Sequence, residues 1–180
     1  MSTVKFTLEH LNEFSKRFKR ESDRAVGVLA AAYLEECLKE LLLLRIVEGS
    51  DSRLFGAHGP LATFSGKIDL AYAIGLLPME VRDDMRRIKE VRNRFAHKID
   101  DLTFEAPEIK AICGEFYVMF GGQRKHLTPA RFAFEAACQV CVLHIGDVRD
   151  NMTKLTAPKA QWTVTDIDPA PTPAKTSYPS

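Results

Sequence analysis

No apolar run in this chain of 180 residues is long enough to cross a bilayer: the longest uncharged apolar stretch, Ala25 to Leu34, falls far short of the roughly 20 residues a membrane helix needs. The first thirty residues carry Lys5, Glu9, Glu13, Lys16 and Arg17 where a secretory leader has its apolar centre, so no signal peptide is expected. Neither sign of charge is in excess. Lys and Arg number 25 against 24 for Asp and Glu, a formal charge of +1, which excludes a uniformly polycationic surface but leaves room for a local basic patch. Cysteine is sparse and scattered, as Cys37, Cys113, Cys138 and Cys141, mostly within apolar stretches. Without a leader these read as reduced thiols in the cytoplasm and not as a disulfide framework. Sustained period-two alternation is absent too, so a multi-stranded sheet is not expected. What remains is an ordinary globular balance, 46% hydrophobic and 27% charged.

Helical spacing fills most of the chain. Leu8, Leu11, Phe14 and Phe18 share one face of a first helix, with Thr7 placed to cap it. A second runs from about Asp23 to Val47, its buried stripe marked by Val26, Ala30, Tyr33, Leu34, Cys37, Leu38, Leu41 and Leu44. Arg53 to Thr63 reads as a loop punctuated by Gly56, Gly59 and Pro60. Thr63 or Ser65 then caps a third helix through Ile68, Leu70, Ala71 and Ile74, which Gly75 terminates. Pro78 suits the first turn of a fourth helix carrying Val81, Met85, Ile88, Val91 and Phe95. Pro107 opens a short fifth helix through Phe116, with Gly114 inside it and Tyr117 to Phe120 as a possible extended piece. Gly121-Gly122 breaks the chain, and Thr128-Pro129 starts a long sixth helix to about Met152. The expected fold class is all-α, a single bundle of about six helices over residues 1–155. Five of the nine prolines lie beyond Thr156, which marks residues 156–180 as a flexible, disordered Pro/Thr/Ala-rich tail.

The segment that can carry chemistry is Arg92-Asn93-Arg94-Phe95-Ala96-His97, at the end of the fourth helix. Asn93 and His97 are four apart and share a helix face, so the amide can orient the imidazole. Arg92 is five from His97, about 140° around an ideal helix, and only its long side chain or a loosened last turn brings it to the same pocket. A neutral imidazole can take a proton from a ribose 2′-hydroxyl and return one to the leaving oxygen, while a guanidinium holds the phosphate and its developing charge. That chemistry needs no metal. The spacing Arg-x4-His alone is weak, since Arg53 and His58 also have it, but Asn directly after Arg makes a chance match about twenty-fold rarer. The alternative is structural: His97 at a helix C-terminus, favoured there by the dipole, with Arg92 at an interface or the surface.

The stretch Leu54-Phe55-Gly56, Gly59-Pro60-Leu61, Phe64-Ser65-Gly66-Lys67-Ile68, Leu70-Ala71-Tyr72-Ala73-Ile74-Gly75-Leu76 and Ile88, with Arg92 to His97, resembles the mannitol operon repressor (MtlR) family. The likeness is continuous from about Leu54 to His97 and weaker in the helices on either side. It implies a compact all-α domain that represses transcription of a carbohydrate-uptake operon. The family's helical core is in turn similar to HEPN domains, in many of which the Arg and His cleave RNA without metal at a dimer interface, while in others they are inert. Arg92, Asn93 and His97 match that motif.

Other features weigh less. The fourth helix carries Arg82, Arg86, Arg87, Lys89, Arg92, Arg94 and Lys98 against Glu80, Asp83, Asp84 and Glu90, a mixed-charge surface of the kind usually just solvated. No helix–turn–helix pair stands out. Cys138-x2-Cys141 with His144 lacks a fourth zinc ligand and reads as core, Ser65 and Lys67 suggest nothing catalytic, and no cofactor is implied. Three readings stay open, one of them a pure scaffold or antitoxin-partner domain in which the motif is only interface. Of the others, the first is a cytoplasmic regulator, homodimeric, acting through a protein partner or on RNA or DNA and not at a membrane. The second is a metal-independent endoribonuclease using Arg92 and His97, with Asn93 in support.

Overall fold

The computed structural model describes residues 16, 18–47, 51–97, 102–117 and 129–152. Among them the secondary structure is six helices: α1 (Asp23–Leu43), α2 (Asp51–Phe55), α3 (Phe64–Ala73), α4 (Met79–His97), α5 (Pro107–Cys113) and α6 (Ala130–Asp150). The all-α bundle expected from the sequence is the fold of these residues. The predicted first helix, apart from its end at Phe18, and the predicted tail lie outside the described residues.

The helix ends follow local chemistry. Ser22 caps α1 by accepting from the Ala25 amide, and Thr63, not Ser65, caps α3 by accepting from the Gly66 amide. Gly75, at φ +75°, closes the turn after α3 in a conformation that side-chain-bearing residues rarely adopt. Three boundaries differ from expectation. α1 ends at Leu43 with Leu44 as its cap, short of Val47, and Tyr33 lies on its exposed side and not on the buried stripe. Arg53 to Phe55 are helical, the end of α2, and the turn that follows is closed by Gly59 N–H to Gly56 O and Leu61 N–H to Leu54 O. α5 stops at Cys113 because Gly114 caps it, leaving Phe116 outside; Tyr117 is helical, and the rest of the expected extended piece, residues 118–120, lies outside the described residues.

α4 lies at the centre, packed against α1, α3, α5 and α6, while α1 also packs on α6 and α3. Its buried residues Val81, Asp84, Met85, Ile88, Val91 and Phe95 fall on one stripe. At the lower end of that stripe four rings stack in a chain, Phe95 to Phe104 at 4.9 Å, Phe104 to Phe134 at 5.3 Å and Phe134 to Phe116 at 6.5 Å between centroids. Each such buried side chain contributes roughly 1.5–3 kcal/mol of transfer free energy. A polar knot fastens the start of α1 to α6. The Arg131 guanidinium donates to the Phe18 and Glu21 carbonyls, to Asp23 and to Glu135, while Asp23 also accepts from the Phe104 amide.

Candidate functional site

The segment Arg92 to His97 forms the last two turns of α4, and its orientation is set by one residue within it. Phe95 is wholly buried, and its ring lies directly on Gly27 of α1: a Cβ at Gly27 would fall 2.3 Å from Phe95 Cδ2. With Phe95 held inward, helical geometry places Arg92 and Asn93 half-buried and Arg94, Ala96 and His97 at the surface. Arg94 and His97 also sit in the last turn, where positive charge suits the helix dipole. Arg92 Nη1 donates to Asn93 Oδ1 at 3.2 Å, so the amide oxygen is engaged by the guanidinium and not by the imidazole it was expected to orient. The structure therefore joins Arg92 to Asn93 and leaves His97 apart, exposed at the end of the helix. The competing pair is no better assembled, with Arg53 exposed in α2 and His58 exposed in the turn after it.

The face of α4 beside this segment is fastened to the antiparallel α3 by three side-chain contacts. The Arg82 guanidinium carbon stands 4.1 Å from the Tyr72 ring centroid, Arg86 Nη2 is 2.6 Å from Asp69 Oδ1, and Lys89 Nζ donates to Ser65 Oγ at 2.8 Å. These steps run down α3 as they run up α4, so the N-terminal end of α3 lies beside the turn that carries Arg92 and Asn93. α3 is tied in turn to α1 by Lys67, buried, whose Nζ meets Glu35 Oε1 at 2.6 Å. The expectation of a solvated mixed-charge surface fails at Asp84. Its carboxylate is fully buried and accepts from Arg87 Nη1 at 3.0 Å and from the Tyr117 amide at 2.8 Å. Spacing holds the reason, because Asp84 stands at i, i+4, i+7 and i+11 with Ile88, Val91 and Phe95 and thus belongs to the core stripe.

No family model matches the chain, and no curated protein or solved structure is significantly similar to it. All four cysteines are free and buried. Burial pushes the Cys37 and Cys113 thiols up to about 12 and raises those of Cys138 and Cys141 as well, leaving little thiolate for metal binding or nucleophilic attack near neutrality. His144 has a ring nitrogen, Nε2, 3.2 Å from the Leu76 carbonyl. Among the described residues no three His, Cys, Asp or Glu side chains group as metal ligands, and no helix is long and apolar enough to cross a membrane. Sequence reasoning passed over Ser65, Lys67 and Lys89. Lys67 carried a signal, standing three after Phe64 and four before Ala71 on the buried stripe of α3; the Ser65–Lys89 contact, across 24 positions, carried none.

Proposed function

We propose that the chain is a cytoplasmic helical regulator, a repressor of a carbohydrate-uptake operon such as that for mannitol, working through partner macromolecules. Its resemblance to the MtlR family from Leu54 to His97 supports the operon class. The observation that carries the mode of action is the build of α4: Phe95 is locked into the core on Gly27, while Arg92 and Asn93 are half-buried and His97 is exposed at the end of the helix. A rigid element that displays polar side chains is suited to recognition. In cells that carry the gene, deleting it should raise transcripts of one carbohydrate-transport operon, and the wild-type chain but not an Arg92→Ala/His97→Ala variant should restore repression. Unchanged transcripts for every such operon refute the reading.

A second reading, the metal-independent endoribonuclease, draws on the same helix end. His97 is exposed at the end of α4, and Arg92 has no carboxylate partner among the described residues, so a general acid–base group and a phosphate-holding cation are both present. Within one chain they stand about 140° apart on the helix, so a homodimer that supplies the second motif is part of this reading. RNA cleavage in EDTA by wild type and not by His97→Ala supports it. Silence from a protein shown to be dimeric removes it.

A further inference from the structure

The partners of the basic residues on α4 divide them into two groups. Four arginines meet carboxylates: Arg82 with Asp83 at 2.7 Å, Arg86 with Asp69 at 2.6 Å, Arg87 with Asp84 at 3.0 Å and Arg94 with Glu90 at 2.7 Å. Two cations meet neutral oxygens instead. Lys89 Nζ donates to Ser65 Oγ at 2.8 Å and Arg92 Nη1 to Asn93 Oδ1 at 3.2 Å, and among the described residues neither reaches a carboxylate.

These two cations are neighbours. Lys89, Arg92 and Asn93 stand at i, i+3 and i+4 and so share one side of α4, and Ser65 joins them from α3; all four are half-buried. An ammonium has three donors and a guanidinium five, of which these contacts use one each, and the Ser65 hydroxyl and Asn93 amide add donors of their own. The spot therefore combines two uncompensated positive charges with a surplus of N–H and O–H groups. A phosphate monoester has the complementary form, carrying about −1.5 to −2 charges at pH 7 and three strong acceptor oxygens. The size of the ligand is limited by what surrounds the spot. Asp69, one turn away on α3, and Glu90, next to Lys89, expose 56% and 49% of their side chains, so a polyanionic strand laid along α4 meets carboxylates on either side while a single phosphate group does not.

We propose that Lys89, Arg92, Asn93 and Ser65 form a binding site for one phosphate monoester group carried by a small molecule. The site does not depend on the regulator reading, and it adds Ser65 and Lys89 to the residues of interest.

The test is a titration of the full-length, ¹⁵N-labelled protein with phenyl phosphate, with phenyl sulfate as the monoanionic control, at ionic strength fixed with chloride. Saturable shifts confined to Ser65 and residues 89–93, weakened about tenfold by Lys89→Gln or Arg92→Gln, are the expected result, the size set by the loss of one charge-assisted hydrogen bond. Asn93→Asp, which places a carboxylate beside Arg92, should abolish saturable binding with the helical circular dichroism unchanged. Arg94→Gln, whose charge is already met by Glu90, should stay within about twofold of wild type by the same reasoning. Shifts that spread over the basic surface without saturating, equal losses from Arg94→Gln and Arg92→Gln, or equal affinity for the sulfate each overturn the site. Tighter binding of a single-stranded oligoribonucleotide lacking terminal phosphates, growing with its length, overturns the monoester in favour of a strand. Failure of the transcript test, by contrast, leaves this titration unaffected.

Discussion

Against α1, α4 lays the ring of Phe95 directly on the backbone of Gly27, a contact too close for any other residue at position 27 without movement. Against α3 the same helix sets Arg82 on a tyrosine ring, Arg86 on Asp69 and Lys89 on the Ser65 hydroxyl, at sites that remain partly open to water. Both interfaces bring the helices together, but they do so with different physics. The first gains from removing apolar surface from water and from dense packing, which is worth kilocalories per side chain. The second adds, at its open edge, one ion pair, one cation–π contact and one neutral hydrogen bond, which water weakens and whose net worth is small. One side of α4 thus fixes where the helix lies, and the other decides which charges it presents.

If that division is right, the largest loss follows from removing apolar contact on the α1 side. Phe95→Ala should destabilise the fold by about 3–5 kcal/mol, removing one ring of the Phe95–Phe104–Phe134–Phe116 chain and leaving a cavity. Urea denaturation followed by circular dichroism measures this. Gly27→Ala approaches from the other side, pushing a Cβ into the same ring, and should cost about 1–3 kcal/mol by overpacking. A loss under about 1 kcal/mol for Phe95→Ala would mean that the contact on α1 does not position α4.

Asp84 sharpens the comparison because it is a charge on the apolar side. Asp84→Ala leaves the Tyr117 amide without its acceptor and Arg87 without its carboxylate, and should cost about 2–3 kcal/mol. Arg87 is 30% exposed and can regain water, which keeps the figure below that of a fully buried broken pair. Asp84→Asn retains an oxygen for the Tyr117 amide and should lose less than Asp84→Ala; equal losses would mean that the Tyr117 bond contributes little.

How far the sequence shows this depends on the range of each interaction. The helical class, the Thr63 cap, the Gly75 turn and the core stripe of α4 are local, and periodicity reveals them. Asp84 is legible by the same rule, because its register places it on the core stripe whatever its charge. Gly27 under Phe95 was not legible: the residues are 68 positions apart, and nothing about an isolated glycine in a helix names the ring that needs its missing Cβ. The candidate site divides likewise. Arg92, Asn93 and His97 could be picked out as a spaced group. That Arg92 would engage Asn93, and that Ser65 would receive Lys89, depends on rotamers and on the register of α3 against α4, which no local pattern encodes.

The smallest predicted effect concerns the polar interface itself. Asp69 and Arg86 expose 56% and 49% of their side chains, so despite the 2.6 Å contact Arg86→Gln should change stability by no more than about 0.5 kcal/mol, and a double-mutant cycle with Asp69→Asn should return a coupling of about the same size. Raising the salt concentration should diminish that coupling, while the loss from Phe95→Ala should persist. Lys89→Gln should be milder still, because a glutamine amide can also donate to the Ser65 hydroxyl and no ion pair is lost. A coupling above about 1.5 kcal/mol between Arg86 and Asp69 would erase the contrast, since the α3 face would then anchor α4 as firmly as the α1 face does. A small value leaves the cations of that face inexpensive to change, and selection on them would then follow what they bind more than what they hold together.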